Sequence, residues 1–196
     1  MNFEHWRHYA RGWLLHFSGR DDAAFDAFVE AYRILPTDRQ AALHLAAIAA
    51  QKKRYDIAEK WFAAALRLAP EDADSHFNLG FIREQMGHAA DAAVSFGEAV
   101  RIKPALDRAW YGLGLSCARL GQHADAAAAF TRASDLQPMN GEAFYQLAMA
   151  WHHAGERDKV TTVVKRLVGF DPKRARQLIK DTERADLTHL IPEMPF

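Results

Sequence analysis

Apolar and polar positions recur along this chain with a period of 34 residues. Ala24, Ala58, Ala92 and Ala126 form one column, and Ala31, Ala65, Ala99 and Ala133 a second. Gly12, Ala46, Gly80, Gly114 and Ala148 form a third, opposite the first two. Phe28, Phe62, Phe96 and Phe130 make a column of rings, and Leu45, Leu79, Leu113 and Leu147 a seam. Pro36, Pro70, Pro104, Pro138 and Pro172 close successive periods, at points where a helix cannot continue. Registered on these prolines, the units are 5–38, 39–72, 73–106, 107–140 and 141–174. Each is predicted to hold two antiparallel helices of about 14 residues. Gly19, Gly87, Gly121 and Gly155 mark the turn inside a unit, where a positive φ is cheapest for glycine. The second unit has Lys53 there, which predicts a slightly strained or differently shaped turn.

The columns also predict how the helices pack. Small side chains let two helices approach to the near end of the usual spacing of about 8–10 Å. The phenylalanines then fill the space between units, each buried ring contributing about 2–3 kcal/mol. No unit can bury this surface alone, so neighbours must stack.

The stretch Asp107–Asn140 carries Trp110, Leu113, Gly114, Ala126, Phe130, Ala133 and Pro138. On these residues the chain resembles the tetratricopeptide repeat (TPR) family. The resemblance implies an all-α fold, a right-handed α-solenoid of five helix-turn-helix units closed by a C-terminal capping helix. It further implies that the first helices line a concave groove for an extended or helical peptide. Carried over position by position, that groove holds Trp6, Tyr9, Trp13, His16 and Phe17 in the first unit. Gln40, Leu43, Ala47 and Gln51 follow, then Asp74, Phe77, Phe81, Glu84 and Gln85. The fourth unit gives Arg108, Tyr111, Leu115 and Arg119, and the fifth Glu142, Tyr145, Met149, His152 and His153. Aromatic residues and arginines of this kind are common interface anchors, so Trp6, Tyr9, Trp13, Phe77, Phe81, Tyr111, Tyr145 and Met149 are the expected contacts. Arg108 and Arg119 are expected to meet acidic or carbonyl groups. Family members that clamp a C-terminal carboxylate use two Lys/Arg and two Asn. Asn78 and Arg108 fit two of those places, but Leu43, Ala47 and Gly112 occupy the others, which argues against a clamp.

Composition narrows the function further. The 196 residues carry 25 basic and 25 acidic side chains, a formal net charge of zero, and so lack the field that attracts nucleic-acid phosphates. The single Cys117 excludes an internal disulfide and fits a reducing compartment. The first twenty residues carry charges and histidines throughout, unlike a signal peptide, and no window approaches the about 20 apolar residues of a membrane span. A soluble, cytoplasmic protein is expected. Ser116-Cys117 with His123 invites a nucleophile reading, but the Cys117 column lies on the buried side of its helix and predicts an inert thiol. His5 and His8 could share a metal, yet no third ligand stands nearby. No catalytic residue, cofactor or metal is expected.

Both ends depart from the repeat. Phe3, Trp6, Ala10, Trp13, Leu14 and Phe17 make an unusually aromatic helical stripe, while Arg11 replaces the seam leucine. Val160, Val164 and Leu167 replace Ala, Phe and Ala in the fifth unit. A capping helix is predicted over 173–186, with Ala175, Leu178, Ile179 and Thr182 inward and Arg174 among the charges on its outer face. The apolar tail 187–196 contains two prolines, and its Leu187, Leu190, Ile191, Met194 and Phe196 are expected to dock. The reading is a non-enzymatic protein-interaction module binding a peptide or protein segment in an aromatic groove. The alternatives are a self-assembling scaffold, through the N-terminal helix or the C-terminal tail, and a dedicated chaperone for a secreted or assembled subunit.

Overall fold

The computed structural model describes residues 3–191, and the chain divides into two compact units, Met1–Ile102 and Lys103–Phe196. Among the described residues there are eleven α-helices, one 3₁₀ helix and no strand. The fold is an all-α helical repeat.

The first unit holds three helix pairs: α1 (Phe3–Phe17) with α2 (Asp21–Ile34), α3 (Arg39–Gln51) with α4 (Tyr55–Leu68), and α5 (Ala73–Gln85) with α6 (Ala89–Ile102). The second holds α7 (Asp107–Arg119) with α8 (His123–Leu136), and α9 (Gly141–His153) with α10 (Arg157–Val168). It ends in α11 (Pro172–Asp181) and the 3₁₀ helix Ala185–Leu190. The cap is therefore shorter than the expected 173–186. Its helix stops at Asp181 because Glu183 takes φ +53°, the left-handed conformation that ends a helix.

One device closes the first helix of every pair. At α1 the Arg20 amide donates to the Leu15 carbonyl and the Gly19 amide to that of His16, the paired bonds of a Schellman motif. The same two bonds recur at residues 53–54, 87–88, 121–122 and 155–156. Their pivot needs a positive φ, which Gly121 meets at +74° and Lys53 at +56°. The side chain of Lys53 does not prevent the turn; it makes it costlier, by about 1–2 kcal/mol. The next first helix is then started by a side-chain cap in three places, Asp171 accepting from the Arg174 amide at α11. Asp38 accepts from the amides of Gln40 and Ala41, and Asn140 from those of Glu142 and Ala143.

Within each pair the small-residue and phenylalanine columns meet. A Cβ built on Gly12, Gly80 or Gly114 would come within 3.0, 2.8 or 2.6 Å of the ring of Phe28, Phe96 or Phe130 respectively. These glycines are required by close approach, since the rings behind them are fully buried. In the second unit the core runs on through Phe144, Leu147, Val164 and Leu167 to Ala175, Leu178 and Leu187. Leu187 is buried there and Leu190 and Ile191 pack against the same cluster. Met194 and Phe196, the rest of the expected docking set, lie outside the described residues. The turn after α11 is pinned by Arg184, which is buried. It donates to the Arg157 carbonyl at 2.9 Å, to Thr161 Oγ1 at 2.9 Å and to Asp186. No helix among the described residues is long and apolar enough to cross a membrane.

Candidate functional site

The first helices of the first unit, α1, α3 and α5, expose one set of repeat positions throughout. Trp6, Gln40 and Asp74 form one row, Trp13, Ala47 and Phe81 a second, and Phe17, Gln51 and Gln85 a third, and all nine are exposed. Trp6 and Trp13 are each 51% exposed and Phe81 49%, large areas for such rings in water. This is not the face on which neighbouring pairs stack. That face carries Ala41, Leu45 and Ile48 on α3, all buried, and the matching residues of α1 are Arg7, Arg11 and Leu14. The aromatic stripe of α1 thus lies beside the stacking surface, on the first-helix face. Trp13 and Phe17, one helical turn apart, stack with ring centroids 5.8 Å apart and planes within 7°.

The row just below these is partly internal. Tyr9 sets its edge on Phe28 at 5.5 Å, and its hydroxyl meets Nε2 of His44, on α3, at 3.2 Å. Burial, helped by the Asp38 charge, raises its pKa. His44 in turn lies flat on Phe28 at 4.6 Å, and burial lowers its pKa, with His16 adding to the effect. Phe77 is half-buried against Phe96. Tyr9 and Phe77 therefore serve the packing at least as much as the surface.

In the second unit the first helices are α7, α9 and α11, and their tyrosines are tied in more tightly still. Tyr145 donates to Asp181 on α11 at 2.6 Å, and this bond, with burial, pushes its pKa up to about 12. Tyr111 packs on Phe130 at 5.5 Å, and burial together with the Glu142 carboxylate pushes its pKa up to about 12. Met149 is half-buried in a pocket of about 350 Å³ lined by Leu115, Arg119, His123, Tyr145 and His153. His152 is half-buried with its ring 5.4 Å from that of His153. Arg108 and Arg119 are exposed, and neither is without a partner.

Of the expected contacts, then, Trp6, Trp13 and Phe81 are presented, with Arg108 and Arg119 at the surface. Tyr9, Tyr111, Tyr145 and Phe77 are built into the stack. Arg174, expected on a solvated face, is instead half-buried and paired with Glu142 and Asp171. It belongs to a set of ties between successive first helices that sequence reasoning missed. His5 meets Asp38 at 2.7 Å, and Arg39 meets Asp72 at 2.6 Å. The signal was present in the sequence as an Arg or His and an acidic side chain 32 or 33 residues apart. Cys117 is buried, and burial raises its thiol pKa, which removes the activation a nucleophile needs. Among the described residues no group of three His, Cys, Asp or Glu could hold a metal ion.

Comparison with known proteins agrees with this fold. Two family models, each described as tetratricopeptide repeat, match residues 107–140 and 18–73. No curated protein sequence matches. Among solved structures, that of MamA protein superposes with a TM-score of 0.78 at 19% identity, covering 100% of both chains. YrrB, described as a TPR protein with an unusual peptide-binding site, gives 0.77 at 19% identity, covering 88% of this chain and 90% of that one. MamA from Desulfovibrio magneticus RS-1 gives 0.74 at 19% identity over 92% and 98%. At these identities the likeness is one of fold.

Proposed function

We propose that this chain, which carries tetratricopeptide repeats over residues 18–73 and 107–140, acts as a non-enzymatic interaction module whose first-helix face takes a peptide or protein segment. One observation carries the reading. Trp6, Trp13 and Phe81 stand half-exposed on a single face around the small Ala47, while the Phe28, Phe62 and Phe96 rings that fill the core are buried. Large rings of this kind supply rigid contact area at little entropic cost and dominate interface energies. The peptide-binding site described for YrrB, a protein of the same fold, supports the same reading. Burial raises the thiol pKa of Cys117 and the Tyr145 hydroxyl is held by Asp181, which supports a non-enzymatic role.

The test is co-purification from the source cell followed by quantitative binding. Trp13→Ala and Phe81→Ala should each weaken the recovered partner by about 2 kcal/mol, roughly 30-fold, without loss of helical signal. Tyr145→Ala should instead lower stability, because its hydroxyl ties α9 to α11. A partner bound equally well by the wild type and the first two variants refutes the assignment.

A further inference from the structure

The first-helix face of the first unit has a chemistry that selects the form of its ligand. Its central row is Trp13, Ala47, Phe81: two half-exposed rings with a small residue between them. Beside that row run the exposed amides of Gln40, Gln51 and Gln85. Asp74 is the charged residue among the nine exposed positions, and it is already engaged. The face therefore offers aromatic surface and uncharged hydrogen-bond donors. Its complement is a segment that turns apolar side chains and unpaired backbone carbonyls towards it.

The repeat spacing narrows this further. Neighbouring first helices are joined side by side: Tyr9 on α1 reaches His44 on α3, and Ala46 and Ala49 of α3 share a core cluster with Leu79 and Ile82 of α5. Packed helices lie about 8–10 Å apart. A polyproline II helix rises about 3.1 Å per residue with three residues per turn, so the same side of it returns every 9 Å or so. A β-strand returns its side chains every 6–7 Å or so and falls out of step with the helices. Polyproline II also leaves every backbone carbonyl open, and aromatic-lined grooves are its usual receptors.

The chain carries such a segment. Residues 191–196 read Ile-Pro-Glu-Met-Pro-Phe, with Pro192 and Pro195 three apart. In a polyproline II helix, with three residues per turn, a spacing of three would bring both prolines to one side. We infer that the Trp13–Ala47–Phe81 furrow receives the Pro192–Pro195 segment of a second copy of this chain, one proline against an aromatic wall and the other in the hollow over Ala47. The inference rests on the first-helix face being the binding face. A second copy is the donor because the preceding residues are committed: Leu187, Leu190 and Ile191 pack on the core of their own unit.

Two measurements on the full chain test this. Light scattering across a concentration series should show the mass rising in the wild type and remaining that of a monomer in Pro192→Ala/Pro195→Ala and in Trp13→Ala. An acetylated peptide of residues 191–196, titrated into the Pro192→Ala/Pro195→Ala protein, should change tryptophan emission saturably. Phe81→Ala in that background should weaken the peptide at least tenfold. Several results overturn the inference: a mass that never rises, association that survives loss of both prolines, or peptide binding indifferent to Phe81. Saturable binding of a capped nonaproline without binding of the tail peptide also overturns it, because the ligand then comes from another protein. In each of these cases the face itself stands if Trp13→Ala still releases a co-purified partner, and falls with it if not.

Discussion

Adding one methyl group at each glycine of the third small-residue column measures how closely the helices approach. Gly→Ala in a helix interior gains about 1 kcal/mol from reduced backbone entropy. At Gly97 on α6 the new Cβ meets nothing within 4 Å, so Gly97→Ala should keep that gain and stabilise the protein by up to about 1 kcal/mol. At Gly12, Gly80 and Gly114 the same Cβ lies 3.0, 2.8 and 2.6 Å from a phenylalanine ring. None of those rings has an easy retreat. Phe28 is sandwiched by Tyr9 and His44, Phe96 faces Phe77, and Phe130 is backed by Tyr111. Overpacking of this kind costs about 1–3 kcal/mol, with the tightest contact at the upper end. Set against the helix gain, Gly12→Ala should be near neutral, Gly80→Ala destabilising by about 1 kcal/mol, and Gly114→Ala by about 2 kcal/mol. Urea unfolding followed by circular dichroism reads the series, with equal m-values required for the comparison. A Gly114→Ala protein as stable as Gly97→Ala would show that the helices sit further apart than described, and the column would lose its packing role.

Lys53→Gly should stabilise the protein by about 1 kcal/mol, because it relieves the φ of +56° that other turns give to glycine, and a chemical melt checks it. Gly121→Ala, in open space but at φ +74°, should cost about as much. Removing the buried guanidinium in Arg184→Ala strands the Arg157 carbonyl and Thr161, so hydrogen exchange over 185–190 should accelerate at least tenfold while α7 and α8 keep their protection. For Tyr111 and Tyr145 the native pKa, about 12, lies above the unfolded value of 10.0. Stability from these two groups is therefore intact below pH 10 and lost as pH rises through 12, since the unfolded chain releases its protons first. Urea melts between pH 9 and 12 should show that decline, and Tyr145→Phe should flatten it.

The fold was legible in the sequence because its determinants are local and repeated. A glycine or lysine at each inner turn, a proline after each second helix and small residues in three columns all act within one unit, so five copies report one structure. The ends were read less well. The cap was drawn to residue 186 on its apolar spacing, Ala175, Leu178, Ile179, Thr182, but a helix end is decided by backbone conformation. Glu183 at φ +53° is a non-glycine in a glycine's place, which the sequence does not announce. The 3₁₀ helix that follows depends on Arg184 reaching back to α10, a contact across 27 residues that no periodicity encodes.

The candidate site divides along the same line. Repeat position says which side of a first helix a residue occupies, and on that ground Trp6, Tyr9, Trp13, Phe77, Phe81, Tyr111 and Tyr145 looked alike. Depth on that side is set by side-chain length and by what the next helix offers. The 9/43/77/111/145 column sits one step nearer the ring column, so Tyr9, Phe77 and Tyr111 rest on Phe28, Phe96 and Phe130. The hydroxyls of Tyr9 and Tyr145 then find partners on the following first helix, His44 and Asp181. In the first unit the 6/40/74 and 13/47/81 columns stay exposed, although Trp6 meets the edge of Tyr9 and Trp13 stacks on Phe17. A tyrosine in the inner column can thus hold two repeats together while a tryptophan four residues on, in the outer column, is left for a ligand. Substitutions in the two columns should accordingly separate: the inner one changes how the repeats stack, the outer one what they bind.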